Sequence, residues 1–229
     1  MCGRFTLTTP GEIVALAFDL EEARSLVPRY NIAPTQPVAV VRAGASRRDL
    51  ALLRWGLVPT WSREPRGRAL LINARADTLG TKPSFREAFE RRRCLIPADG
   101  FYEWKGLAGA RRKEPHLIRM ADGGLFALAG LWEPPHPGDP ESRGSCAIVT
   151  TEPNALLREI HDRMPAILPP GAWADWLDPT LRDASRVAPL LGPYPADKMT
   201  VIRVGPTVNN AANDSPDCVR PDPRPEESL

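Results

Sequence analysis

Apolar residues fall along this chain in short runs of strand length, at 37–41, 50–55, 94–97, 101–104, 117–120, 126–132, 146–150 and 199–204. Each is bounded by proline, glycine, aspartate or basic residues, so the pattern predicts eight β-strands. Helix signals lie between them. Thr9-Pro10-Gly11-Glu12 reads as a threonine cap, a proline in the first turn and a glutamate closing a capping box, for a helix running to about Asp19. Ser84-Phe85-Arg86-Glu87 repeats that signature for a second helix ending near Arg93. A third is expected near 154–161, and shorter ones between 172 and 190. Strands and helices do not alternate regularly, which disfavours a doubly wound parallel sheet and predicts a strongly curved, mainly antiparallel α+β domain.

Composition adjusts this picture in three ways. The chain has 229 residues, 42% of them hydrophobic, enough for one well-cored domain. Its 26 prolines are dispersed, which reads as a loop-rich fold with neither a repeat nor a dividing linker. One domain is expected over 2–218, followed by a frayed acidic, proline-rich tail at 219–229. No apolar run reaches the length of a membrane span, and Met1-Cys2-Gly3-Arg4-Phe5 lacks the apolar core of a secretory signal. A cytoplasmic protein is expected, its four cysteines (2, 94, 146 and 218) reduced. With no Cys-x-x-Cys and only three scattered histidines, no metal site and no cofactor are expected.

The net charge of +2 says little, but 26 of the 30 basic residues are arginine. Seven arginines fall between Arg42 and Arg68, with Trp55 and Trp61 among them. Codon bias and phosphate recognition by the guanidinium fork both account for this.

Cys2 follows the initiator methionine and is small enough for that methionine to be removed. A terminal cysteine carries an amine with a reference pKa of about 7.7–8 beside a thiol of about 8.5. Such a 1,2-aminothiol can form an imine with an aldehyde and close it to a thiazolidine. It can also act as an N-terminal nucleophile, its amine serving as base. Position alone leaves open a third reading, a small residue with no chemical role. Gly3 permits close backbone approach, and Arg4 places a cation near the thiol.

Three further segments set polar residues in apolar company. Asn73 and Arg75, within Ile72-Asn73-Ala74-Arg75-Ala76-Asp77, share a face if the segment is a strand. They suit an amide orienting a reacting group beside a phosphate-binding arginine, or equally a turn and a surface charge. Glu103 lies between Tyr102 and Trp104, where desolvation would suit it to general acid–base work unless it faces solvent. His161, in His161-Asp162-Arg163-Met164-Pro165, is the best placed histidine, since His116 opens a strand and His136 lies in a Pro/Gly loop. A helix-end histidine can equally be a dipole partner only.

In combination these segments resemble the SRAP (SOS response-associated peptidase) family, which includes sensors of abasic sites in single-stranded DNA. The matching stretches are Met1-Cys2-Gly3-Arg4-Phe5, Asn31-Ile32-Ala33-Pro34-Thr35, Arg54-Trp55-Gly56-Leu57-Val58-Pro59, Asn73-Ala74-Arg75-Ala76, Arg93-Cys94-Leu95-Ile96-Pro97-Ala98, Gly100-Phe101-Tyr102-Glu103-Trp104, His161-Asp162-Arg163-Met164-Pro165 and Asn213-Asp214-Ser215-Pro216. They run in order over nearly the whole chain. Asp77, where the family more often has glutamate, and Ala166, where a branched residue is usual, depart from it. The resemblance implies a barrel-like β core surrounded by short helices, with Cys2, Asn73, Glu103 and His161 as catalytic residues. It further implies that Arg4, Arg75, Arg86 and Arg163 contact DNA, with Trp61 or Trp55 stacking on a base. The implied activity is covalent capture of abasic sites through a Cys2 thiazolidine, with self-processing peptidase and weak lyase activities beside it. A monomer whose partner is single-stranded DNA, nucleoid-associated when bound, is expected; a cysteine peptidase and a non-covalent reader of modified DNA are the alternatives.

Overall fold

The computed structural model describes residues 2–44, 46–63, 70–106, 113–139 and 141–223. In chain order the strands are β1 (Arg4–Leu7), β2 (Arg29–Ile32), β3 (Pro37–Ala43), β4 (Arg48–Trp55), β5 (Asn73–Arg75), β6 (Arg93–Ala98), β7 (Gly100–Lys105), β8 (Glu114–Met120), β9 (Phe126–Glu133), β10 (Ser145–Thr151), β11 (Met164–Pro165), β12 (Ile167–Leu168) and β13 (Met199–Arg203). The helices are α1 (Gly11–Phe18), α2 (Pro83–Arg91), α3 (Ala155–Arg158), α4 (Trp173–Leu177) and α5 (Ala184–Val187). All eight runs expected from the apolar pattern are strands.

Strand β10 organises the larger sheet. One edge pairs antiparallel with β9, Ser145 opposite Glu133 through Ile148 opposite Gly130, and the other pairs parallel with β4 at Ser145–Arg54 and Cys146–Trp55. Since β4–β3, β3–β6 and β6–β9 are antiparallel, the path returns to β10 and closes a barrel. Beyond the barrel rim β10 continues with new neighbours: β5 runs parallel to it, Asn73 opposite Ile148 and Arg75 opposite Thr150, and β11 pairs antiparallel on the other edge. The core is thus antiparallel except along the β4 and β5 edge of one strand.

The smaller sheet runs β13-β8-β7-β1-β2. Alternation along its strands gives it two buried faces. Phe5, Phe101 and Ile118 join the barrel core, whereas Tyr102 and Leu117 face a second core with Val204, Val208 and Cys218. Gly100 opposes Thr6, and a Cβ there would stand 2.8 Å from the Thr6 hydroxyl. Its absence lets Thr6 reach the buried Asp99 carboxylate at 2.6 Å.

Asp99 also explains why α1 is capped differently from the sequence expectation. Its Oδ2 accepts from the backbone N–H and hydroxyl groups of both Thr8 and Thr9. Burial opposes the charge, yet these bonds and that from Thr6 hold the carboxyl below its ordinary range. Thr9 is therefore engaged away from the helix, and Pro10 occupies the cap position with no side-chain cap. In α2 the cap is Lys82, again without a side-chain bond, and Ser84 lies within the first turn behind Pro83. Asn154 does cap α3, accepting from Leu157 N at 2.9 Å.

Within the expected tail, the described residues 219–223 carry contacts to β13 and the residue after it. Pro221 bridges Val204, and Asp222 N donates to Arg203 O at 2.9 Å. Just upstream, Asp214 accepts from the Tyr30 and Asn31 backbone N–H groups and pairs with Arg29, tying this end of the chain to β2. Residues 224–229 lie outside the described residues.

Candidate active site and nucleic-acid interface

Cys2 lies two residues before the start of β1, a strand flanked by β7 and β2, and is wholly buried. Its backbone is held from the side: Asn73 Nδ2, at the start of β5, donates to Cys2 O at 2.8 Å. The other amide atom, Asn73 Oδ1, is buried without a hydrogen-bond partner among the described residues. An unsatisfied buried acceptor costs roughly 1–3 kcal/mol, so an N–H brought beside it is strongly favoured.

Glu103 shares the Phe101 face of β7 and is only 2% exposed. Burial dominates its titration and pushes the carboxyl up to about 7. The positive charge at the amino end of the chain opposes the shift, Asp162 adds to it and Lys113 opposes it. His161 follows α3, held by its N–H to Leu157 O at 2.8 Å. Burial first, then the positive chain end, hold its imidazole below the ordinary value, while Asp162 works the other way. Its Nδ1 accepts from Arg163 N at 3.1 Å and stands 2.7 Å from Asp162 Oδ1. A carboxyl raised toward neutrality and an imidazole lowered from it, both sensing the amino end of the chain, give one group able to donate a proton and one able to accept it. The Cys2 thiol is pushed up, chiefly by burial and then by Glu103, so it is held as the thiol.

The six residues expected on DNA divide into two groups. Arg75, Arg163, Arg86 and Trp61 reach the surface. Arg75 projects from β5 and chelates Asp77 through Nε and Nη2, at 3.1 and 2.6 Å. Arg163 Nη2 donates to Thr150 O at 2.6 Å, next to the Arg75–Thr150 register pair. The two guanidiniums lie near enough for Arg75 to contribute, after burial, to lowering the Arg163 pKa. Arg86 is exposed on α2, and Trp61 is 49% exposed.

Trp55 is buried, and Arg4 is partly exposed but engaged with the second core. Arg4 Nη1 donates to Asn31 Oδ1 at 2.9 Å and Val208 O at 2.8 Å, and its guanidinium lies over the Trp104 ring. Its side chain packs with the second core, as a brace for the turn at Val208, while its backbone carbonyl accepts from the Cys2 thiol. Trp55 is fully buried, its indole N–H bonded to Ile72 O at 2.9 Å and its ring set edge-on to Phe5. A ring with no accessible face cannot stack on a base, whereas that of Trp61 is accessible.

The sequence reading assigned no role to Asp162, although its adjacency to His161 in the quoted motif was the available signal. Nor did it find Asp99, whose importance lies in contacts more than ninety positions distant. Among the described residues no cluster of three or more His, Cys, Asp or Glu is placed to hold a metal, and no helix is long and apolar enough to cross a membrane.

Comparison with known proteins identifies relatives along nearly the whole chain. The abasic site processing protein YoqW of Bacillus subtilis is 40% identical over 222 residues, covering 96% of this chain and 99% of that protein. The abasic site processing protein HMCES of Pongo abelii is 31% identical over 96% of this chain and 76% of its own length. A crystal structure of a protein from Bacteroides thetaiotaomicron superposes with a TM-score of 0.84 at 27% identity, covering 96% of this chain and all of that one. The family model described as SOS response associated peptidase (SRAP) matches residues 1–211, and the chain belongs to that family.

Proposed function

We propose that this protein processes abasic sites in single-stranded DNA by covalent capture at Cys2 once Met1 has been removed. The observation that carries the reading is the Asn73 amide, which fixes the Cys2 carbonyl and leaves a buried acceptor beside the residue whose α-amine would react. Relatives named abasic site processing proteins support it.

An abasic deoxyribose opens to an aldehyde at C1′. The Cys2 amine adds its lone pair to C1′, Asn73 Oδ1 accepting one of its N–H bonds. One nitrogen proton passes to the new alkoxide. Glu103, the group held protonated near neutrality, protonates the resulting hydroxyl as water leaves, and the Glu103 carboxylate takes back the remaining nitrogen proton to give the neutral imine. Sulfur then adds to C1′ while the thiol proton passes to the imine nitrogen, closing a five-membered thiazolidine. The adduct weighs one water less than its reactants. The raised thiol pKa fits this order, amine first and sulfur second, better than a thiolate-led peptidase. The imine also allows weak lyase action, in which His161 takes a C2′ proton as the bond from C3′ to its phosphate oxygen breaks.

Arg75 and Arg163 would hold flanking phosphates, with Arg86 on the neighbouring helix, and Trp61 would stack on an adjacent base. One chain carries every group the reaction needs, so a monomer suffices.

Intact mass decides the matter. The protein mixed with a single-stranded oligonucleotide bearing one abasic site should lack Met1 and gain the oligonucleotide mass less 18 Da, about one water, as a heat-stable adduct. The C2A variant should give none. A heat-stable adduct with C2A, or none with the parent, overturns the thiazolidine.

A further inference from the structure

Trp61 sits at the third position of a tight turn in which Ser62 N donates to Pro59 O at 2.9 Å. The ring is half exposed, yet Ser62 beside it is buried. What fixes the turn is the connection between β9 and β10. At its start, Val58 N donates to Ser145 Oγ at 2.8 Å. At its end, the buried His136 ring meets Ser62 O through Nε2 at 2.8 Å. The tautomer follows from the other nitrogen: Gly138 N donates to Nδ1 at 3.0 Å, so the proton is on Nε2 and Ser62 O accepts it. His136 is itself held, its backbone N–H donating to Ser142 Oγ and its carbonyl accepting from Asp139 N. Glu133, opposite Ser145 in the closing ladder, is pushed up chiefly by burial, against which Arg92 and, last, the Thr60 side chain favour its charged form. The turn is therefore tied on both sides of the tryptophan.

We propose that His136 is a positioning residue for DNA binding: its Nε2–H bond to Ser62 O locks the turn that presents Trp61, so that the ring is pre-organised before a base arrives. The proposal rests on the stacking role of Trp61 proposed above. An indole on an untethered turn must be immobilised on binding, and that ordering subtracts from the stack. The histidine touches no reacting group, so its effect falls on affinity and leaves the chemical step alone.

The test uses the full chain and two single-stranded oligonucleotides of one sequence, one intact and one with a single abasic site. H136A should weaken binding of the intact strand about tenfold, within the range of one base–aromatic stack. It should raise the half-saturating concentration for crosslinking by a similar factor while the saturated rate stays within about twofold of the parent, a split that loss of folding would not produce. H136Q, whose amide N–H can reach Ser62 O, should restore most of the affinity even if H136A folds poorly. The double variant W61A/H136A should bind no more weakly than W61A. Unchanged affinity in H136A, or an additional loss in the double variant, overturns the lock while leaving Trp61 on DNA. If W61A itself binds normally, the stacking role falls and the lock falls with it.

Discussion

The side chain of Asn73 meets the backbone of Cys2, 71 positions earlier, through a 2.8 Å bond from Nδ2 to the carbonyl oxygen. That single contact joins the amino end of the smaller sheet to a short strand attached to the barrel. It orients the peptide unit next to the proposed nucleophile and leaves the other amide atom, Oδ1, buried and unsatisfied.

Replacing Asn73 should separate binding from chemistry. N73A removes both the donor and the acceptor, and N73D sets a carboxylate oxygen against the Cys2 carbonyl. Single-turnover crosslinking is expected to slow about tenfold or more, the value of one hydrogen bond near the reacting atoms, with affinity for intact single strands unaltered. A parent-like rate in N73A would remove this residue from the reaction.

Glu103 predicts an exchange of stability for function. Its carboxyl is raised from 4.5 to about 7 by burial, so between those pH values the folded chain holds a proton that the unfolded chain has released. Stability therefore falls as pH rises through that window, by up to about 3 kcal/mol. E103Q should melt higher than the parent at pH 8 and almost equally at pH 4.5, and should crosslink far more slowly. A melting difference independent of pH would contradict the assignment.

Arg75 and Arg163 predict a salt signature. The Arg75–Asp77 pair is half exposed on both sides, and such surface pairs contribute about 0–1 kcal/mol, so a phosphate can displace Asp77. Each phosphate neutralised on a single strand adds about 0.7 to the slope of log affinity against log salt. The R75Q/R163Q variant should lower that slope by about 1.4 in anisotropy titrations from low to moderate salt. An unaltered slope would place the phosphates elsewhere.

The two tryptophans predict opposite phenotypes. W55A opens a cavity in the barrel core, and large-to-small changes of that kind cost about 3–5 kcal/mol. W61A should leave the melting temperature within about 1 °C, as surface changes do, and weaken single-strand binding at least several-fold. Thermal melts and anisotropy on both variants settle which ring meets DNA.

Much of this architecture was legible in the sequence because continuous apolar runs mark strands buried on both faces, as 126–132 and 146–150 are. The strands outside the expected runs, β1, β2, β5, β11 and β12, are two to four residues long, and the first three carry polar side chains with particular partners. Asn31, for example, is wholly buried, and its amide donates to three backbone carbonyls around 208–213. The capping box at Thr9 failed because a more strongly accepting group, Asp99, was brought to it by the fold. At the site, Asn73, Glu103 and His161 carried signals of their own, being polar in apolar surroundings. The Arg4 guanidinium, although close to Cys2 in sequence, turns away to Asn31 and Val208. The two residues pack in different cores, and that choice depends on strand pairings that no local pattern encodes.

The position of β1 has a mechanical consequence. If DNA is attached at Cys2, tension on the DNA enters the protein through β1, and β1 is an inner strand with partners on both sides. Its removal must shear the ladder to β7 and the ladder to β2 together, and β2 is itself tied to the carboxyl-terminal segment through Asp214. A motor advancing along the strand would thus pull against a doubly held element, whereas a lesion captured from an exposed loop or an edge strand would peel away one hydrogen bond at a time.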